Sequence, residues 1–300
     1  MLNMKRLSVL AAVIFTIGLI GSVATYKSVP KADTVTEELG STDFTNMEVN
    51  ADDGEIIISS TNETKPKVEV TGYNIEENFS INIKNGTLHV NYHDKSKKFF
   101  SFGFNTRDVK IHLFIPENEY DVVKADANNG KVTTNGLHAR ELTLHADNGE
   151  LDVKESDAKN MEVTSNNGQI KVDGVTGETV KLRADNGKII FSHADIESSE
   201  ISTSNGKIDL TEIAGTISAK ANNGKIHFTT TTLTSPLDFI TDNGKIHIET
   251  REKPTNAEIH AQVDNGSITL FGEKTSHSTY GKGENNINLR ANNGKIIVEN

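Results

Sequence analysis

LTLHADNGELDV (residues 142–153) and VKLRADNGKIIF (residues 180–191) follow one plan: apolar residues alternate on both sides of an Asn-Gly pair. The pair returns along the chain. Glycines 130, 149, 168, 187 and 206 lie 19 residues apart, and the series continues at 224, 244, 266 and 294 with steps of 18, 20, 22 and 28. An Asn precedes each of the nine: Asn129, Asn148, Asn167, Asn186, Asn205, Asn223, Asn243, Asn265 and Asn293. The residue before that Asn is Asn, Asp or Ser, and a weaker tenth copy reads Asp52-Asp53-Gly54.

The apolar positions keep the same frame. Two residues after the Gly stand Val132, Leu151, Ile170, Ile189 and their equivalents, and four after it Val153, Val172, Phe191 and Leu210, with Thr134 as the exception. Before the Gly, positions minus seven, minus five and minus three behave alike, as in Leu142, Leu144 and Ala146. Such alternation marks strands with one buried face. The minus-three column holds only small or β-branched residues, so the space beside the corner is narrow. Two short strands per unit cannot close a core alone, whereas stacked copies can.

Two geometries place Asn-Gly between alternating strands, since Gly reaches positive φ at low cost and Asn tolerates it. One is a two-residue type I′ hairpin, repeated as an antiparallel array. The other is the corner of a β-solenoid, each coil lying about 4.8 Å from the last. The constant Asn favours the solenoid, because stacked amides form a hydrogen-bonded ladder. The fold class expected is therefore all-β: a single-stranded β-solenoid (β-helix) of about 19-residue coils, with an N-terminal β-sheet cap and one preceding transmembrane helix.

The 300 residues contain no Cys, which excludes disulfides, thiolate catalysis, thiolate metal sites and a lipid-modified Cys anchor. The formal net charge of −11 makes nucleic acid an unsuitable partner for the body. Residues 1–26 read as a membrane anchor: Lys5 and Arg6 precede the uncharged, apolar run Leu7 to Ala24. Eighteen helical residues span roughly 27 Å, enough for a bilayer core. The basic N-terminal flank places the body outside the cytoplasm, giving a single-pass membrane protein. A signal peptide cleaved after Ser22-Val23-Ala24 is the alternative.

Residues 27–42 are polar and aperiodic, a tether. Residues 43–120 hold the first repeat and the cap. Val68 to Val70 and Val109 to Ile115 read as strands there, and Phe79 to Val90 as a hairpin about Asn85-Gly86. Gly54 and Gly130 are four repeat lengths apart, leaving room for degenerate coils between them. Residues 121–300 are the solenoid repeats. Gly272 to Glu284, rich in Ser, Thr, Gly and His, reads as a surface loop. The last strand ends near Asn300, so the final coil is to be covered by that loop or by another molecule.

With its apolar N-terminal span, its degenerate Gly54 unit and its repeated Asp-Asn-Gly-Lys-Ile corners (Asp185 to Ile189, Asp242 to Ile246), the chain resembles the bacterial putative-adhesin family, and within it the LiaG-like envelope proteins of Gram-positive bacteria. The resemblance covers roughly residues 43–300. It implies a membrane-anchored, surface-facing β-solenoid tied to the cell-envelope stress response, and it brings no catalytic motif.

Candidate chemistry is sparse. Asp209, His227 and His247 stand three residues after their glycines in successive coils, facing outward, and two imidazoles with a carboxylate suit a divalent metal. Asp185, Asp242 and Asp264 at the corners offer oxygen ligands for Ca²⁺, although a Lys follows the Gly in most units and competes with a cation. No cofactor is expected. Some β-helices cleave polysaccharides, but such enzymes need clustered acids and aromatic platforms. This chain has no Trp and five Tyr. The expected role is a non-catalytic scaffold or adhesin-like module that binds a cell-wall polymer or an envelope protein. A polysaccharide-acting enzyme and a self-assembling, bactofilin-like filament are the alternatives. One stretch departs from the acidic character: Lys95, Lys97 and Lys98 lead into Phe99, Phe100, Phe102 and Phe104. Those rings either fold as a lid over the end of the solenoid or dock on the outer leaflet or a membrane partner.

If the corner amides form a ladder, Asn186→Ala and Asn205→Ala are coupled. Denaturant midpoints of the two single mutants and the double mutant are expected to show a coupling of about 0.5 to 2 kcal/mol, whereas separate hairpin turns give additive costs.

Overall fold

A computed structural model of the chain describes residues 32–40, 43–73, 75–93 and 109–300. In chain order the elements are β1 (Asp33–Glu38), β2 (Asn46–Thr61), β3 (Lys67–Gly72), a single helical turn α1 (Ile75–Asn78), β4 (Phe79–Lys84), β5 (Thr87–Tyr92), β6 (Lys110–Pro116), β7 (Glu119–Asn135), β8 (His138–Lys154), β9 (Asp157–Asp173), β10 (Thr176–Thr230), β11 (Leu237–Thr250), β12 (Ala257–Leu270), β13 (His277–Tyr280) and β14 (Asn285–Glu299). They form one sheet whose path runs β1-β3-β6-β2-β7-β8-β9-β10-β11-β14-β12-β13, with the β4–β5 hairpin attached to β2.

Every pairing from β2 to β12 along that path is parallel and in register on the repeat glycine. Gly54 faces Gly130, Gly130 faces Gly149, and Gly149 faces Gly168. Gly187 lies against Gly168, and Gly244 against Gly224. This is a β-solenoid, not a hairpin array. The inward columns are those that alternate in the sequence: Leu142, Leu144, Leu151 and Val153 are at most 1% exposed, as are Val180, Leu182, Ile189 and Phe191. The minus-three column is filled by Ala127, Ala146, Ser165, Ala184 and Thr203, all buried.

The corner glycine does more than supply positive φ, which it has at Gly54, Gly130, Gly149, Gly266 and Gly294. A Cβ built on Gly130 would lie 1.7 Å from the carbonyl oxygen of Gly54, and one on Gly187 1.7 Å from that of Gly168. Coils approach so closely at this corner that no side chain fits, whatever the dihedral. The corner Asn residues do not have positive φ. Asn85-Gly86 is the other case: φ of 52° and 73° make a type I′ hairpin between β4 and β5.

A second corner follows six residues after the first. There the chain is left-handed at Gly136, Glu155, Gly174, His193 and Glu212, with φ between 45° and 68°. Their spacing is again 19, but the residue type varies, so no sequence signal marks them. Amide hydrogen bonds to the next coil hold the position, for example Glu155 N–H to Asp173 O at 3.0 Å. Beyond it, Leu137, Ser156 and Val175 point inward as a third buried column.

At the N-terminal end β2 pairs directly with β7, so the stretch between Gly54 and Gly130 does not stack between those two coils. The other edge of β2 is covered by β5 beside residues 46–51 and β6 beside residues 55–61, both parallel. These act as a coil split at its corner. β4 and β3 then pair antiparallel with β5 and β6, ending the parallel stacking. Part of the expected tether is ordered: β1 lies next to β3, with Thr34 Oγ1 3.0 Å from Thr71 Oγ1. Residues 1–26 lie outside the described residues. Among those described, no helix is long and apolar enough to cross a membrane.

The C-terminal end differs from the expected order. β14 does not stack last; it inserts between β11 and β12, so Gly294 lies between Gly244 and Gly266. The stack therefore ends on β12, and part of the expected surface loop forms β13, which pairs antiparallel with Ala257–His260.

Gly187→Ala is expected to lower stability by more than about 3 kcal/mol, since backbone must move on both sides of the corner. Glu155→Gly, which relieves a left-handed non-Gly residue, is expected to fall within about 1 kcal/mol of neutral or to stabilise. Urea midpoints of the two variants give the comparison.

Candidate functional site

The second arm of each coil turns its first, third and fifth residues after the Gly away from the core, and stacking makes columns of them in which neighbours bury Asp152 and His247. The first column opens with mixed signs, Glu55, Lys131 and Glu150, and the lysine pairs with Glu150 at 3.2 Å. It then becomes basic. Lys188, Lys207, Lys225, Lys245 and Lys295 occupy five neighbouring coils, the last because β14 brings Lys295 beside Lys245 in place of Ser267. Lys188 and Lys207 hold Asp209 at 3.0 and 2.5 Å. Among the described residues, Lys225, Lys245 and Lys295 have no carboxylate within ion-pairing distance. Burial, together with the charges of Lys207 and Lys245, pulls the Lys225 ammonium below the usual lysine value.

The corner amides form one polarised chain. Asn129 Nδ2 donates to Asp53 Oδ1 at 2.8 Å, Asn148 to Asn129 at 2.9 Å, Asn167 to Asn148 at 3.0 Å and Asn186 to Asn167 at 3.0 Å. Asn205, Asn223 and Asn243 continue it at 2.9 to 3.0 Å. Asn293 then donates to Asn243 at 3.0 Å, and Asn265 to Asn293 at 3.1 Å. All nine bonds point toward Asp53, whose carboxylate only accepts and so ends the chain with a charge-assisted bond.

One position earlier, carboxylates are kept apart. The spatial order is Asp52, Asn128, Asp147, Asn166, Asp185, Ser204, Asn222, Asp242, Asn292 and Asp264. Amides bridge to the acids: Asn128 to Asp52 at 3.3 Å, Asn166 to Asp147 at 2.7 Å and Asn292 to Asp242 at 3.0 Å. The Ca²⁺ candidates are therefore not brought together. Asn292 separates Asp242 from Asp264, and Asp185 is held by Arg183 at 3.0 Å.

Of the metal candidates, the structure brings His227 and His247 side by side, ring centroids 5.1 Å apart and nearly parallel at 17°. Asp209 lies at the margin, 3.5 Å from His227 Nδ1 and already neutralised by two lysines. Burial alone would push Asp209 up, but the hydrogen bonds and charges of Lys207 and Lys188 outweigh it and hold the carboxyl below the usual range. Sequence reasoning missed Glu249 and Glu299. Both stand five residues after a Gly, and the signal for them was the shared frame. Glu249 Oε1 lies 3.1 Å from His227 Nε2 and 3.1 Å from His247 Nδ1, while Glu299 Oε1 lies 2.6 Å from His247 Nε2. Lys95, Lys97, Lys98, Phe99, Phe100, Phe102 and Phe104 lie outside the described residues.

The depressed value of Asp209 makes stability pH-dependent. Its contribution is present above the ordinary carboxylate value of 3.8 and is lost as pH falls through the lower folded value. Asp209→Asn is expected to narrow the gap between urea midpoints measured at pH 7 and pH 3.

No curated protein is significantly similar to the chain. Among solved structures, a putative adhesin of Bacteroides fragilis is 17% identical over 89% of this chain and 97% of its own, with a TM-score of 0.45. A putative adhesin of Parabacteroides distasonis is 12% identical over 89% and 97%, with a TM-score of 0.49. A putative cell adhesion protein of Clostridium sporogenes is 15% identical over 90% and 99%, with a TM-score of 0.26. The profile of Toastrack DUF4097 matches residues 44–299. That match spans all ten coils, and the chain belongs to the Toastrack DUF4097 family.

Proposed function

We propose that this chain is a membrane-anchored, extracytoplasmic scaffold of the bacterial cell envelope whose lysine column binds an anionic, phosphate-bearing envelope polymer without turnover. The observation that carries the reading is the unbroken run Lys188, Lys207, Lys225, Lys245 and Lys295 on a body of negative net charge. Three adjacent unpaired ammonium groups repel one another, and a ligand of repeating negative charge relieves that repulsion along its length. The strand spacing of about 4.8 Å presents these charges as a linear array, suited to a polymer more than to a single small anion.

The anchor is supported by Lys5, Arg6 and the uncharged run that follows, and the link to envelope stress by the sequence resemblance. Head-to-tail filament growth is opposed by the ends of the amide ladder. Asn265 would have to accept from the next molecule, and Asp53 has no proton to donate.

Binding of a poly(glycerol phosphate) chain by the full-length protein in detergent is expected, weakening as salt rises. The triple variant Lys225→Glu, Lys245→Glu and Lys295→Glu is expected to lose at least about tenfold in affinity. Equal binding by the variant, or turnover of wall polysaccharide by the wild type, would contradict the reading. Preference for anionic vesicles over the polymer would move the ligand to the lipid surface.

A further inference from the structure

We infer that His227 Nε2, His247 Nδ1 and Glu249 Oε1 form a binding site for a divalent transition-metal ion of the zinc class. The three ligand atoms lie within 4.8 Å of one another. Each nitrogen is 3.1 Å from the same carboxylate oxygen. Ligands bonded at 2.0 to 2.1 Å around a tetrahedral ion are spaced by about 3.3 Å, so both nitrogen-to-oxygen edges already have the length such an ion requires.

Hydrogen bonding points the same way. His247 is 8% exposed, and its Nδ1 is shut off from solvent with no hydrogen-bond partner; His227 Nε2 is in the same condition. Buried polar atoms are normally satisfied, and here two lie 3.1 Å from one carboxylate oxygen without a hydrogen bond to it. The outer side of the His247 ring orients it. Glu299 accepts the Nε2 proton of His247 at 2.6 Å, so in the neutral ring Nδ1 is the nitrogen free to hold a metal. Asp209 lies 3.5 Å from His227 Nδ1 without a hydrogen bond to it, so the hydrogen-bonded carboxylate behind a ring belongs to His247 alone. Carboxylates behind histidines in this way orient and strengthen metal-binding imidazoles.

Glu249 and Glu299 balance the charge of a divalent ion, while Asp209 is offset by Lys188 and Lys207. Glu249, with a side chain 44% exposed, gives an entry path and leaves room for a water as fourth ligand. The other cluster, Glu258, His260 and His277, differs: its histidines face each other Nδ1 to Nδ1 at 3.2 Å, and Thr279 engages His277 Nε2 at 3.2 Å. Both of those histidines are exposed, and neither has a ring nitrogen shut off from solvent without a partner.

The test is titration of the full-length chain in detergent with Co²⁺, followed by displacement with Zn²⁺. One equivalent of Co²⁺ giving the intense d–d absorption of a tetrahedral site is expected, lost on adding Zn²⁺. His247→Ala and Glu249→Gln are expected to weaken binding at least about 100-fold, and Glu299→Gln about 10- to 100-fold. His277→Ala is expected to leave it unchanged. Thermal melts check folding, and if His247→Ala does not fold, His227→Gln, at a less buried ring, replaces it. Absence of the cobalt spectrum, a spectrum that survives Glu249→Gln, or one lost in His277→Ala would overturn the site. So would nitrogen NMR showing both rings still doubly protonated with stoichiometric Zn²⁺ present, which would mean that protons alone bridge the histidines and Glu249.

Discussion

The distance between neighbouring coils at the Asn-Gly corner governs the rest of this structure. A Cβ on Gly149 would sit 1.7 Å from the oxygen of Gly130, and one on Gly244 1.6 Å from that of Gly224. Such contact fixes the register absolutely, since slipping by one residue would place a side chain where none fits. Once register is fixed, each position in the unit becomes a column. The apolar columns close the core, the Asn column becomes a chain of amide bonds, and the outward columns become stripes of charge. Each exposed amide bond contributes only about 0.5 to 1.5 kcal/mol, but nine aligned in one direction reinforce one another.

Placing β14 between β11 and β12 gains its meaning from those columns. Stacked in chain order, Asp242 would lie against Asp264, and like charges directly opposed are destabilising. With β14 between them, Asn292 donates to Asp242 instead. The same insertion puts Lys295 beside Lys245 and Glu299 against His247. One topological choice thus relieves a repulsion, lengthens the basic column and completes the carboxylate shell behind the paired imidazoles.

Much of the fold was legible in the sequence. The 19-residue spacing, the alternation about each corner and the hairpin at Asn85-Gly86 are local signals, and each is present where the pattern put it. The role of the corner Gly was legible only in part, because close approach between coils is a tertiary contact that a φ preference does not report. The second corner stayed hidden because Gly136, Glu155 and His193 share a backbone conformation and no side-chain chemistry. Strand order at the C-terminal end was not legible either, since all corners carry the same motif and any could stack on any other. For the same reason the pairing of His227 with His247 was visible, lying in consecutive coils, while Glu299 was not.

The absence of Cys permits a direct test of that order by engineered disulfides. Asp238 faces Asn288, and Asn288 faces His260, so Asp238 and His260 are two coils apart. Facing Cα atoms on adjacent strands lie about 4.8 Å apart, within disulfide range, whereas those two coils apart do not. Under mild oxidation the Asp238→Cys, Asn288→Cys protein is predicted to crosslink within the chain and the Asp238→Cys, His260→Cys protein to remain reduced. The reverse outcome would contradict the insertion of β14 and the charge columns that depend on it.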